Sequence, residues 1–233
     1  MIIICMTILK GGIFIMKVKY WMIENPITVT PETPIFDLRK MFKEKAIRRF
    51  PVVENKKVVG IVTLTDYLRF APSQATTLSI HELEYLLINE KVKKIMTKKP
   101  HKIYPDTSIE LAAKMMRDYH VGGLPVVEKD DTLVGFLTES RLFDAFMEVM
   151  GMREKGGDRI TFVLENKPSM LADLLNELRS FNAKIISIVT TRAINPETKE
   201  IDSTKRIVSI VLDTTTNLEE VIKSLKEKGY YIE

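Results

Sequence analysis

Apolar side chains fall at Ile35, Leu38 and Phe42, and again at Ile109, Ala112 and Met116. Both sets have the i, i+3, i+7 spacing that places side chains on one helical face. A β-branched run follows each predicted helix: RRFPVVENKKVVGIVTLTD in the first case and GGLPVVEKDDTLVGFLTESR in the second. Each run predicts two short strands joined by a polar turn, with a further helix opening after Thr63 or Thr138. The likeness is a repeat. Met22, Pro26, Pro31, Pro51 and Val52 recur as Met96, Pro100, Pro105, Pro125 and Val126, all displaced by 74 positions, and one extra turn residue puts Gly135 75 after Gly60. The repeating unit is strand, helix, strand, strand, helix. A unit this small buries too little surface to be secure alone, so the two copies (16–74 and 91–150) are expected to pack into one domain over 16–150. In the connector, 75–90, Ser79 followed by Glu82 has the form of a capping box and predicts a linking helix through about Glu90, with His81 exposed on it.

From Asp158 the periodicity restarts without the repeat. Arg159 to Glu165 alternates as a strand, and Pro168 suits the first position of a helix carrying Met170, Leu171, Leu174, Leu175 and Leu178. A strand from Lys184 to Thr191, a turn at Asn195-Pro196, a strand from Arg206 to Leu212, a helix from Leu218 to Lys228 stopped by Gly229, and a last strand at Tyr230 to Ile232 complete the pattern. The order is βαββαβ, the ferredoxin-like arrangement. Residues 148–157, with Gly151, Gly156 and Gly157, are expected to be the hinge before this second domain, which occupies 158–233. The fold class is α+β, an α/β sandwich.

Composition adds mainly exclusions. A chain of 233 residues with 45% apolar and 28% charged residues is a folded globular protein of two cores. One cysteine, Cys5, can form no internal disulfide, which favours a reducing cytoplasm. His81, His101 and His120 lie far apart with no metal-ligand spacing, so no metal site is expected. The apolar run from Met1 to Ile15 is broken by Lys10, Gly11 and Gly12 and is too short to span a bilayer; it is expected to be an N-terminal extension, 1–15, with no membrane role. The net charge of +4 is spread along the chain, which argues against a nucleic-acid partner. No catalytic triad, carboxylate pair or phosphate-loop motif appears, so the chain is not expected to be an enzyme.

The duplicated pattern M-x-x-x-P, then h-P-V-V, then G-h-h-T-x-x-D resembles a tandem pair of CBS motifs, a Bateman module. That resemblance implies a regulatory adenosine ligand (AMP, ADP, ATP or S-adenosylmethionine) bound between the motifs, and no required cofactor. Thr63 and Asp66 stand where the family contacts phosphate and ribose. A hydroxyl where strand gives way to helix could face an anion, and a carboxylate can accept from two vicinal hydroxyls. The same four residues also read as a helix cap, Thr63 capping and Asp66 reaching back. Arg48 and Arg49 match positions that reach phosphate, as suits a forked cation, although an exposed pair is the plain alternative. Backbone groups of Ile27 and Thr28 on the first strand are the implied adenine contacts. The second copy keeps Thr138 but has Arg141 at the Asp position and Gly122-Gly123 at the Arg pair. Its site is then either empty or a source of charge, through Arg141 and Lys102, for a phosphate held by the first. One functional site per chain is expected.

The run ENKPSMLADLLNELRSFNAKIISI, with the βαββαβ order, resembles an ACT domain. This resemblance implies amino-acid binding by Asn166, Lys167, Ser169 and Met170, although Ser169 and Lys184 replace the family's usual Gly and Asn; the alternative is a dimerisation module. The whole order is similar to acetoin-utilisation B-type proteins. It implies a homodimer that couples nucleotide binding to the ACT domain or to an enzyme partner. A non-catalytic adaptor with a vestigial nucleotide site is the competing reading.

Overall fold

The computed structural model describes residues 16–71, 87–152, 157–195 and 197–232. Ser79, His81 and Glu82 of the expected connecting helix, the extension 1–15, Gly156 and Pro196 lie outside them. The chain divides between Ala145 and Phe146 into two compact units.

In the first unit each copy contributes a helix, a hairpin and a second helix. In copy one these are α1 (Ile35–Lys45), β2 (Arg49–Glu54), β3 (Lys57–Thr63) and α2 (Leu64–Phe70), preceded by the two-residue strand β1 (Ile23–Glu24). Copy two has β4 (Thr97–Lys98), α3 (Ile109–Asp118), β5 (Gly123–Val127), β6 (Leu133–Thr138) and α4 (Glu139–Val149). Ile35, Leu38 and Phe42 are buried, and so are Ile109, Ala112 and Met116. The spacing therefore marks the faces that enter the core. Phe42 packs on Phe50 and Tyr67, ring centroids 5.1 and 6.0 Å away, and burial pushes the Tyr67 hydroxyl's pKa up. The turn between β2 and β3 uses Asn55 and Lys56, both in the left-handed region with φ of 50° and 66°, which matches the twist of a tight hairpin.

The copies exchange their leading strands. β1 pairs with β6 of copy two, and β4 pairs with β3 of copy one, giving sheets ordered β1-β6-β5 and β2-β3-β4. Hydrogen bonds follow the same reciprocity: Ile35 N–H donates to Glu90 C=O and Ile109 N–H to Met16 C=O, at 2.9 and 3.0 Å. Val58 N–H donates to Asp131 C=O while Leu133 N–H donates to Lys56 C=O, on either side of the bridge between Lys57 and Thr132. A local two-fold axis thus passes beside that bridge. The repeated Gly has a role here. A Cβ on Gly60 would stand 2.7 Å from Met96 Sδ and 3.1 Å from Thr97 O, and one on Gly135 would strike Met22. Each copy's leading Met therefore lies on the other copy's Gly.

The second unit contains β7 (Asp158–Glu165), α5 (Met170–Ser180), β8 (Ile185–Ile194), β9 (Ile201–Leu212), α6 (Leu218–Glu227) and β10 (Tyr231–Ile232). They form one antiparallel sheet ordered β10-β7-β9-β8. Phe162, Leu174, Leu178, Val208, Ile210, Val221 and Leu225 form its core. Three local readings change. Ser169 stands at the N-cap position of α5, so Pro168 lies outside the helix rather than at its first position. β8 and β9 run longer than their apolar periodicity suggests, because long-range pairing sets Arg192 against Arg206, Ala193 against Asp202 and Ile194 against Ile201, with a register shift between the first two pairs. The expected hinge is not loose at its start. Ser187 Oγ donates to Val149 C=O and Arg159 donates to Met150 C=O, both at 2.8 Å, and Gly151 takes φ 70° with Ser187 Cβ within 2.9 Å of a notional side chain.

Candidate functional site

Two clefts open between the copies, related by the local two-fold. The first, about 560 Å³, is lined by Asn25, Ile27, Ala46, Arg48, Arg49, Thr138 and Ser140, among others. The second, about 660 Å³, is lined on one side by Thr63, Thr65 and Asp66 and on the other by Lys98 to His101 and His120 to Pro125, with Arg48 and Arg49 at their junction.

Thr63 is where β3 ends and α2 begins, and it closes a complete capping box. Its hydroxyl accepts from Asp66 N–H at 3.2 Å and donates to Asp66 Oδ2 at 2.7 Å, while Thr63 N–H donates to the same Oδ2 at 2.8 Å. The capping reading of T-x-x-D is therefore correct as geometry. It changes the expected chemistry, because the first turn of α2 is sealed by its own side chains and offers no open end for an anion. Asp66 Oδ1 takes no part in the box, and Asp66 lines the second cleft.

Strand exchange divides the sequence-derived site residues. Ile27 lies in the first cleft with Thr138, across the axis from Thr63 and Asp66; Thr28 lines neither cleft. Both follow β1 instead of lying on it, since that strand ends at Glu24. By the repeat, the positions facing Thr63 and Asp66 are Pro100 and His101. Signals for them existed: they stand 74 after Pro26 and Ile27. What the sequence lacked was the partner of each leading strand.

Arg49 leaves β2 and crosses to copy two, where its Nη2 stands 3.9 Å from Glu139 Oε2. A side chain on Gly122 would collide with this guanidinium, so the Gly that replaces Arg in copy two admits the Arg of copy one. Arg141 lines neither cleft; its N–H donates to Thr138 Oγ1 at 3.3 Å and its guanidinium lies 3.8 Å from Asp144. Lys102 pairs with Asp131 at 2.6 Å. Neither cation lines the cleft of Thr63 and Asp66, and of the two readings of the second copy this geometry lends no support to the one in which they share a phosphate there.

In the second unit, Asn166 donates through Nδ2 to Ser203 C=O at 3.0 Å and Lys167 pairs with Glu165, holding that carboxyl's pKa down. Ser169 makes no side-chain cap bond, and Met170 packs against the core. One cavity in this unit, about 530 Å³, is lined by Val163, Asn195, Asp202, Lys205, Ile207 and Tyr231 among others and contains none of the four. No group of three or more His, Cys, Asp or Glu among the described residues could hold a metal. No described helix is long and apolar enough to cross a membrane.

The CBS domain model matches the chain twice, over residues 18–73 and 92–148. A CBS domain-containing protein of Dictyostelium discoideum is 35% identical over 136 residues, covering 57% of this chain and 92% of that one. The chain belongs to the CBS-domain family, and carries its motifs as a tandem pair. Several other curated relatives are longer: the chain spans 26% of the inosine-5'-monophosphate dehydrogenase of Korarchaeum cryptofilum, 30% identical over 141 residues, and the match is to part of that enzyme only. Among solved structures it is similar to CBSX2 from Arabidopsis thaliana in complex with AMP (26% identity, TM-score 0.49, 57% of this chain and 97% of that one). It is also similar to a Vibrio cholerae protein named for acetoin utilization (27% identity, TM-score 0.49, 60% and 96%). The matched CBS residues end at 148, before the βαββαβ unit.

Proposed function

We propose that the chain is a cytoplasmic regulatory protein whose CBS pair binds an adenosine nucleotide in the second cleft. The observation that carries this reading is that Thr63 and Asp66 line a cleft about 660 Å³ in volume, roomy enough for a small-molecule ligand, together with Arg48, Arg49 and the opposite copy's Lys98 and Lys99. Asp66 is the ribose acceptor. The arginines and lysines take the phosphates, and Pro100 to His101 and His120 to Gly122 frame the base. Binding across the two copies favours one packing of the pair over another, which is what regulation by a ligand requires. The βαββαβ unit serves as an ACT-type module that transmits the change within a homodimer or to an enzyme partner; its sheet order supports that reading.

The closed capping box favours a second reading, a non-catalytic adaptor in which Thr63 and Asp66 only hold α2. Thermal melting separates the two. A nucleotide that raises the melting temperature of the chain but not of Asp66→Ala supports the sensor, whereas indifference of both to every adenosine compound supports the adaptor.

A further inference from the structure

The two clefts share a backbone geometry and the arginines Arg48 and Arg49, but not their remaining charge. Asn25 and Lys99 occupy equivalent positions and both adopt left-handed backbone, with φ of 47° and 50°; Ala46 and His120 do the same, at 51° and 52°. The first cleft thus has Asn and Ala where the second has Lys and His. Lys98 adds another cation, at the position of Glu24 in copy one. The second cleft is lined by four permanent cations, Arg48, Arg49, Lys98 and Lys99, against one carboxylate, Asp66. Thr63 already shares that carboxylate. Neither lysine has an ion-pair partner among the described residues, and Arg49 is held only loosely by Glu139, at 3.9 Å. Like charges gathered at one opening repel one another, and an anion that spans them relieves the repulsion while forming charge-assisted hydrogen bonds.

We infer that the second cleft selects its nucleotide by phosphate count: it takes nucleoside di- or triphosphates in preference to the monophosphate, and disfavours an adenosine ligand that carries a cationic sulfonium. A monophosphate can meet one pair of cations, the arginines or the lysines. A polyphosphate chain can span from Arg48 and Arg49 to Lys98 and Lys99. The first cleft, without the lysines, lacks this preference. The inference rests on the nucleotide reading of the cleft and names its ligand class.

The test is calorimetric titration of the full chain with AMP, ADP, ATP, GTP, S-adenosylmethionine and inorganic triphosphate, at 50 and 200 mM salt, repeated on Lys98→Met/Lys99→Asn. Asn suits the left-handed position, as Asn25 shows, so this variant should fold. The expected result is an affinity gain of about tenfold for each added phosphate, with ATP losing more affinity than AMP as salt rises. In the variant the gain from AMP to ATP shrinks to less than about threefold. Equal or tighter binding of AMP or S-adenosylmethionine than of ATP overturns the inference, as does an unchanged phosphate ladder in the variant. If ATP, GTP and inorganic triphosphate bind alike and the variant loses all three, the polyphosphate inference stands and the adenosine reading fails. If none binds, both fail.

Discussion

Arg49 and Gly122 belong to different copies of the repeat, yet the guanidinium of the first occupies the space that a side chain on the second would need. The group in the way is the flexible end of Arg49, with Glu139 Oε2 also 2.7 Å from the notional Cβ, so both can move aside. Gly122→Ala should therefore change stability by no more than about 0.5 kcal/mol while displacing Arg49 from the cleft. The expected outcome is a several-fold loss of nucleotide affinity with an unaltered denaturation midpoint.

Gly60→Ala and Gly135→Ala should behave in the opposite way. Each added methyl meets the other copy's Met and lies close to backbone, at Thr97 O or Ile23 O, so relief requires moving an exchanged strand. Overpacking of this kind costs about 1 to 3 kcal/mol, and chemical denaturation should show that loss at both positions. A cost at only one would mean that the two strand exchanges are not equivalent.

Thr63 both caps α2 and lines the second cleft, and substitution can tell whether it does more than cap. Thr63→Ala removes the cap of α2 and should cost about 1 kcal/mol, along with nucleotide affinity. Thr63→Ser keeps the hydroxyl and should restore both. If the alanine variant loses stability but binds nucleotide as before, Thr63 is a cap alone.

Asp106 ties the start of copy one to copy two through Lys17 and Lys19, at 2.9 and 3.0 Å. Hydrogen bonds from Lys17 and then Lys19 hold its carboxyl pKa below the ordinary 3.8. A lowered folded-state value means that the unfolded chain binds more protons in that window. The stabilising contribution is complete above the ordinary value and is lost as pH falls through the folded one. Asp106→Asn should accordingly melt lower than the natural chain at pH 7, and the gap should narrow below about pH 4.

Much of the fold was legible in the sequence because each landmark has a local cause. Ile35, Leu38 and Phe42 mark a buried helical face, Gly60 marks a close approach, and Thr63 marks the end of a strand. The exchange of β1 and β4 was not legible. Each is two residues long, too short to carry a periodic signal, and its partner lies more than 35 residues away. That exchange decides the site: it moves Ile27 away from Asp66 and brings Lys98, Lys99, His101 and His120 in. The long β8–β9 ladder was hidden for a related reason, since Asp202 pairs with Ala193 and Lys205 with Glu165 across the sheet, on either side of a register shift that composition does not signal.

The most direct measurement of nucleotide sensing is the stoichiometry of ATP on the full chain by calorimetry, with Asp66→Ala and Thr138→Ala beside it. One saturable site per chain, lost in Asp66→Ala and retained in Thr138→Ala, is the predicted result. Two sites of which Thr138→Ala removes one, or binding indifferent to Asp66, would contradict it.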